Sequence, residues 1–485
     1  MSRLLVLIVA GLVSACAATP PEQQVVNDAA AALGGTDRLK ALKSLSIEGT
    51  GTAPQVGQNT MPEGEQPVWR VNEYARAIDL ANGRTRVRQV REAQFLFAGD
   101  LVQRQAQGLD RDVAYNVGPD GTAARAGEAA ARDRRIELLQ HPITIVRAAM
   151  DPGAKLANPR VEGSERLVDV TTAAGDAATL AIDAQTHLPT RVITMSDNAN
   201  MGDVAVVTTF ADYQDVGGIK LPRKLTTKMD KYLQLDVNVA RNQLDVDVAD
   251  LAAPAAVTSA AVPAPPPVVV TAEPVGKGVW WLAGSGNHRS VVFEFADHLV
   301  LYEAPLNEAR TRAVIDKART LSPKPLTMAI VSHHHFDHSG GLRTAVAEGL
   351  TIVTHRDNEA FFKDLLARPH TIVPDQLQKG PREATFVFVD DEMTLKDAAM
   401  EVRLYHLLNN PREGTNLFAY VPAQRLLVQA DLYDSTWLRH SWGENVLTNI
   451  QQRKLAVDRD VPVHGAIEPF AVMAATIKAK PGTPQ

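Results

Sequence analysis

The sequence predicts an α+β protein of two domains: an antiparallel, β-rich, half-barrel-like amino-terminal domain, and a carboxy-terminal domain in which strands and helices alternate. Three observations predict it. Between residues 44 and 250, short runs alternate apolar and polar residues and are separated by turn signals, the mark of half-buried strands. An uncharged Ala/Pro-rich stretch, 251–270, then interrupts the chain and favours extended, polyproline-like geometry. Beyond it, short apolar runs come with helical patterns, and one of them, Leu326–Val331, leads into His333-His334-His335-Phe336-Asp337-His338. The expected boundaries are a leader at 1–16, a β-rich domain at 22–250, a linker at 251–270 and a second domain at 271–480.

A chain of 485 residues with 45% apolar content has material for such cores. Its net charge of −6 argues against a nucleic-acid partner. Arg3, the apolar stretch Leu4–Val13 and then Ser14, Ala15 and Cys16 form a basic region, a short hydrophobic region and a small-residue cleavage site. Val13-Ser14-Ala15-Cys16 resembles a bacterial lipobox, in which the cysteine is lipidated and becomes the mature amino terminus. Cys16 is the single cysteine of the chain, so it has no disulfide partner within it. A plain secretory leader with an incidental cysteine is the alternative. Ala17 in place of Asp implies, for such lipoproteins, the outer rather than the inner membrane. The expectation is a periplasm-facing envelope lipoprotein held to the membrane through Cys16. No later stretch is long and apolar enough to span a bilayer.

Gln23–Leu33 has a helical pattern that Gly34-Gly35 terminates, and Thr36 opens a second short helix through Leu42. From Ser44 the period becomes two. Trp69 and Val71, then Val87 and Val90, fall in strands joined by Asn82-Gly83, a hairpin signal. Ala123–Met150 has a mainly helical pattern. Strands return around Leu180, Val192–Met195, Val204–Phe210 and Leu225–Met229, with a turn at Asp215–Gly218. Leu233, Leu235, Val237 and Val239 alternate with polar residues. One face of this sheet has to be covered, either by its own helices and the second domain or by a bound acyl chain. Its pattern loosely resembles the half-barrels of lipoprotein carriers. In the second domain, Val279–Leu282, Val291–Phe295 and Leu299–Tyr302 are expected strands and Glu308–Leu321 a helix.

The His-rich stretch carries the chemistry. In an extended chain His333, His335 and Asp337 project to one side, and His338 follows as Ser339-Gly340-Gly341 turns into a helix. Imidazoles and a carboxylate converging at a strand end call for a divalent cation such as zinc. The plainer alternative is a solvated polar loop. Asp431 ends the apolar run Leu426–Ala430, and His464 ends Val461–Val463; alone, each could be a helix cap or a packed polar residue. At strand ends, however, they stand where open α/β sheets build crevices.

Those three pieces, in the order H-x-H-x-D-H, Gln429-Ala430-Asp431-Leu432-Tyr433 and Val463-His464-Gly465, resemble the metallo-β-lactamase fold superfamily between about Val275 and Ala475. Gly278-Val279-Trp280-Trp281-Leu282, Glu303-Ala304-Pro305-Leu306 and Tyr420-Val421-Pro422 resemble a branch of envelope lipoproteins with a sheet domain ahead of the hydrolase domain. The resemblance implies an αββα sandwich and usually two zinc ions. By position, His333 and His335 would hold the first ion, Asp337, His338 and His464 the second, and Asp431 would bridge them. Where the family places a third histidine for the first ion, this chain has Asn409-Asn410-Pro411-Arg412-Glu413-Gly414, with Arg412 at that place. An arginine stays charged and cannot ligate. Three outcomes follow: a single-ion site on the Asp337 side, Arg412 holding an anionic substrate group, or His406 or His440 filling the gap. The first two are expected, with one ion favoured, zinc first and iron or manganese as alternatives.

The implied reaction is hydrolysis of an ester, lactone, amide or phosphoester of a small-molecule substrate, with Asp337 orienting water or moving its proton. His288, His355 and His370 are candidate pocket residues, His288 foremost. No serine-hydrolase, P-loop or dinucleotide motif competes. The rival is a catalytically degenerate envelope lipoprotein that binds a hydrophobic or anionic ligand.

Overall fold

In the computed structural model, which describes residues 19–95, 101–437 and 439–480, the alternating runs of the amino-terminal domain pair into one 13-stranded antiparallel sheet. The leader, Cys16 and Ala17 lie outside the described residues. Ser44–Pro54 runs near the centre, flanked by Val68–Asp79 and Tyr232–Leu244. Ala123–Arg125 and Lys155–Glu162 form the two edges, so the sheet stays open. Gly83, in the left-handed region at φ 65°, makes the predicted turn between Val68–Asp79 and Arg84–Ala93.

Helices fill one face. Pro21–Leu33 buries Val25, Val26, Ala29, Ala30 and Leu33, which share one side at helical spacing. They meet Leu45, Ile47, Val71, Ile78, Val237 and Val239 from the sheet, a core that removes roughly 1.5–3 kcal/mol of apolar exposure per large side chain. The stretch expected as mainly helical divides. Ala123–Arg125 is an edge strand, and the helix Glu128–Leu139 ends before a second one, Pro142–Ala149. Pro142 lacks an N–H to continue the first helix but suits the first turn of the next. The sheet's apolar face is thus packed by its own helices.

The linker holds one short helix, Ala255–Ser259, and otherwise runs without regular structure to strand Val270–Gly276. The carboxy-terminal domain has four layers. A seven-stranded sheet runs in order from Val270–Gly276 to Phe386–Val389, and a six-stranded sheet from Glu392–Lys396 to Glu468–Pro469. Their facing sides bury Val279, Phe293, Tyr302, Ile330 and Val353 against Leu404, Ala419, Val428 and Val461. Helices Glu308–Arg319, Leu342–Ala347 and Glu359–Ala367 cover the first sheet, and Gly443–Gln452 and Phe470–Ala479 the second. This is the αββα sandwich.

Among the described residues the two domains touch in two places. Asp203 accepts hydrogen bonds from Thr371 N, Thr371 Oγ1 and Ile372 N, while Met201, Val204, Met229 and Tyr232 join the outer core of the second domain. The second contact is residues 55–67, which connect Ser44–Pro54 to Val68–Asp79 and reach the strand ends where the histidines lie.

Candidate metal centre

Strand Leu326–Ile330 delivers the motif. Val331 and Ser332 extend past it, and His333 and His335 point the same way, as alternation requires. Asp337 departs from that pattern. The chain has already turned into Phe336–Ser339, with His338 N and Ser339 N donating to His335 O, so Asp337 and His338 project from a helical turn. Gly340 permits that turn, since a Cβ there would lie 2.1 Å from the Leu306 carbonyl oxygen. The other members arrive from neighbouring strand ends: His288, Glu303, the 407–416 connection, Asp431 and His464.

Two groups of donors result. In the first, Glu413 Oε2 lies 2.7 Å from His333 Nε2 and 3.3 Å from His335 Nδ1. All three atoms are buried and without an aligned hydrogen-bond partner. Buried polar atoms are seldom left so, and three that converge fit a cation. Asp431 completes this group. The second gathers His288, Asp337 and His464, and overlaps with His338, Asp431 and His464. His338 Nε2 and His464 Nε2 lie 3.1 Å apart, and Asp431 Oδ1 is within 3.1 Å of each.

The outer nitrogens of these rings are fixed. His338 Nδ1 donates to Glu303 Oε2 at 2.9 Å, and His464 Nδ1 to the Asn287 carbonyl at 2.7 Å. His333 Nδ1 meets Ser332 Oγ at 2.8 Å, and His335 Nε2 donates to the Asn59 carbonyl at 2.8 Å. Acceptors on the far side set which nitrogen faces the centre, as in metal-ligating histidines. His334 points away, bonded to Thr415 Oγ1 and Asn59 O. Glu303 and Asp431 both hold left-handed φ, 78° and 62°. For residues with a side chain this costs about 1–3 kcal/mol and recurs at functional sites.

The charges also fit. Four carboxylates, Glu303, Asp337, Glu413 and Asp431, face one guanidinium, Arg412. Burial pushes Asp337 and Asp431 up, but His338 beside both, the His288 bond to Asp337 and Arg412 beside Asp431 outweigh it and hold both well below the ordinary carboxylate range. Burial pushes His338 down, yet the carboxylates of Asp337, Asp431 and Glu303 raise it well above its usual value. The residues fit a divalent ion at either group.

Several expectations are corrected here. Beside His333 and His335, Glu413, one position beyond the expected histidine, brings a third donor atom into a group that could hold a metal ion. The preference for a single ion therefore loses its structural reason. Arg412 turns instead to Asp431, with Nη2 at 2.5 Å and Nε at 3.1 Å from Oδ2. That oxygen stays 3.9 Å from both His333 and His335, so Arg412 competes for the oxygen through which Asp431 was expected to bridge. His406 donates to the Gly414 carbonyl and His440 packs on Tyr433; neither is in a donor group. His288, expected on the substrate side, donates to Asp337 Oδ2 at 3.1 Å and belongs to the second donor group. His355 stacks on His406 and His370 sits by Asp375, away from the centre.

The model of the metallo-beta-lactamase superfamily matches residues 283–400, which include His288, Glu303 and the whole His333–His338 motif. A comparison with curated proteins finds no match. Among solved structures, a metallo-beta-lactamase from Pontibacter korlensis is 15% identical, covering 43% of this chain and 98% of its own, at TM-score 0.34. One from Hirschia baltica is 15% identical over 44% and 99%, at TM-score 0.35. The FIM-1 metallo-beta-lactamase of Pseudomonas aeruginosa, in a mono-zinc form, is 17% identical over 44% and 96%, at TM-score 0.35. Over residues 283–400, the carboxy-terminal domain of this chain is similar to the metallo-beta-lactamase superfamily.

Proposed function

We propose that this protein is a metal-dependent hydrolase that cleaves an ester, lactone, amide or phosphoester bond of a small molecule, with zinc as its first candidate ion. The observation that carries this reading is the convergence of His333 Nε2, His335 Nδ1 and Glu413 Oε2, buried and facing one another without an aligned hydrogen-bond partner. His333, His335 and Glu413 would hold one ion, His338, Asp431 and His464 a second, with Asp337 and His288 beside it. A bound divalent ion supplies Lewis acidity and makes water a nucleophile near neutral pH. Asp337, held well below its ordinary range, is a weak proton acceptor; its role is to orient water through one carboxylate oxygen while His288 fixes the other. Arg412, fixed on Asp431, adds a permanent positive charge where negative charge grows on the substrate.

Metal analysis of the full chain after zinc-replete expression is expected to give between about one and about two equivalents. Less than about one tenth would overturn the reading. A panel of esters, lactones, β-lactams and phosphodiesters is expected to show a metal-dependent rate that Asp337→Ala or His338→Ala lowers about 100-fold. The second reading, a binder without catalysis, is favoured by the guanidinium of Arg412 at the position of a ligand. Metal at full occupancy with a flat panel would select it.

The proposal includes an envelope location. The lipobox at Val13–Cys16 supports anchoring through Cys16 and a periplasm-facing, outer-membrane protein. Labelled palmitate should enter the full chain and fail to enter Cys16→Ser.

A further inference from the structure

The acceptors that orient His338 and His464 of the second donor group come from the carboxy-terminal domain: Glu303 for His338 and Asn287 for His464. The first group differs. The acceptor for His335 is the Asn59 carbonyl, at 2.8 Å, and Asn59 belongs to the 55–67 connection of the amino-terminal domain. The same carbonyl accepts from His334. Beside it, Gly414 N donates to the Thr60 carbonyl at 2.8 Å, which pins the backbone next to Glu413. Phe336 N donates to the Gly57 carbonyl at 3.1 Å. Gln58 spans the mouth, donating from Nε2 to Asp337 Oδ1 at 2.8 Å and accepting from Arg412 Nη2 at 3.1 Å.

The connection is built to hold this pose. Gln55 N donates to Pro67 O at 2.8 Å, closing its base, and Asn59 Nδ2 donates to Gly64 O at 2.8 Å, clasping its tip. Gly57 has φ +79°, and a Cβ there would lie 2.2 Å from the Phe336 ring, so only glycine allows so close an approach.

We propose that the amino-terminal domain is a structural part of the metal centre, its 55–67 connection orienting His335 and seating Glu413 so that it governs retention of the ion held by His333, His335 and Glu413. The inference rests on the metal-centre reading above. A ligating imidazole without its outer acceptor is free to turn, and losing such a partner typically weakens metal binding about 10–100-fold. The domain is then more than a carrier for the hydrolase fold: Asn59 and Thr60 frame the first ion, and Gln58 sets the polar rim that a substrate meets.

The test titrates metal-stripped full-length protein with zinc against a competing chelator. His333→Ala identifies which binding step belongs to the first seat. In Gly57→Ala and Asn59→Ala that step is expected to weaken about 10–100-fold, and by more than the other step, while the exposed Glu65→Ala behaves as wild type. By linkage, zinc should slow amide exchange across residues 55–67 in the wild-type chain, a readout that needs no variant. Unchanged affinity at the first seat in both loop variants, or zinc-independent exchange of the connection, would overturn the inference. A wild-type chain that binds no zinc at all would instead overturn the hydrolase reading beneath it.

Discussion

Glu413 and Arg412 are neighbours in sequence with opposite duties. Glu413 presents a carboxylate to two histidines, while Arg412 neutralises Asp431 and lies over the Trp442 ring, 5.5 Å from its centroid. Glu413→Gln should therefore remove about one equivalent of zinc without unfolding the chain, as read by metal analysis beside a thermal melt. Arg412→Ala leaves a buried carboxylate short of its counter-charge, and the metal-stripped protein should lose about 3 kcal/mol in denaturant unfolding. Zinc should restore part of that loss. A separate residue sets acid sensitivity. Burial and the nearby Arg76 push His141 from 6.5 down to about 3. Between those values the unfolded chain binds a proton that the folded chain refuses, so stability is full above about pH 6.5 and falls as pH drops. The slope approaches about 1.4 kcal/mol per pH unit, and His141→Asn, which can still cap Pro142–Ala149, should flatten it in urea unfolding.

At the scale of elements, the centre is a property of strand ends and the turns just after them. Gly340 shows how tightly they meet: a Cβ there would overlap the Leu306 backbone, and something must shift. Gly340→Ala is expected to displace the Phe336–Ser339 turn and lower zinc bound by the second donor group, with the first group less affected, as cobalt substitution and absorption spectra would show. Which pieces were legible in the sequence follows the same geometry. His333, His335, Asp431 and His464 each follow an apolar run, and such a residue at a strand end declares itself. The αββα order was expected only through the family resemblance, and the linker only from an uncharged Ala/Pro-rich composition. Glu413 was not legible, because it sits inside the 407–416 connection, which has no periodicity, next to an arginine at the place expected for a ligand. Its one available signal was that a carboxylate can ligate and lay one position from the expected histidine. Glu303 stood in a recognised segment, but nothing local says that its side chain turns to His338. Asn59 acts through its backbone carbonyl, which has no sequence signature.

Taken whole, the molecule is two domains locked at two points. Asp203 gathers three donors from residues 371 and 372, and Arg368 pairs with Asp230 at 2.8 Å. Asp203→Ala should loosen this contact, and calorimetry is expected to show two resolved transitions where the wild-type chain unfolds in a coupled one. Proteases should also reach the unstructured part of the linker more readily.

The bond between Gln58 and Arg412 joins residues 354 positions apart, and His464 comes later still. The chain has to emerge past His464, and both halves have to fold and dock, before the six-residue motif meets all of its neighbours. Contacts this distant in sequence close slowly. The centre is therefore among the last parts of the protein to mature in time: an ion offered early meets scattered histidines, and one offered late meets a finished cradle.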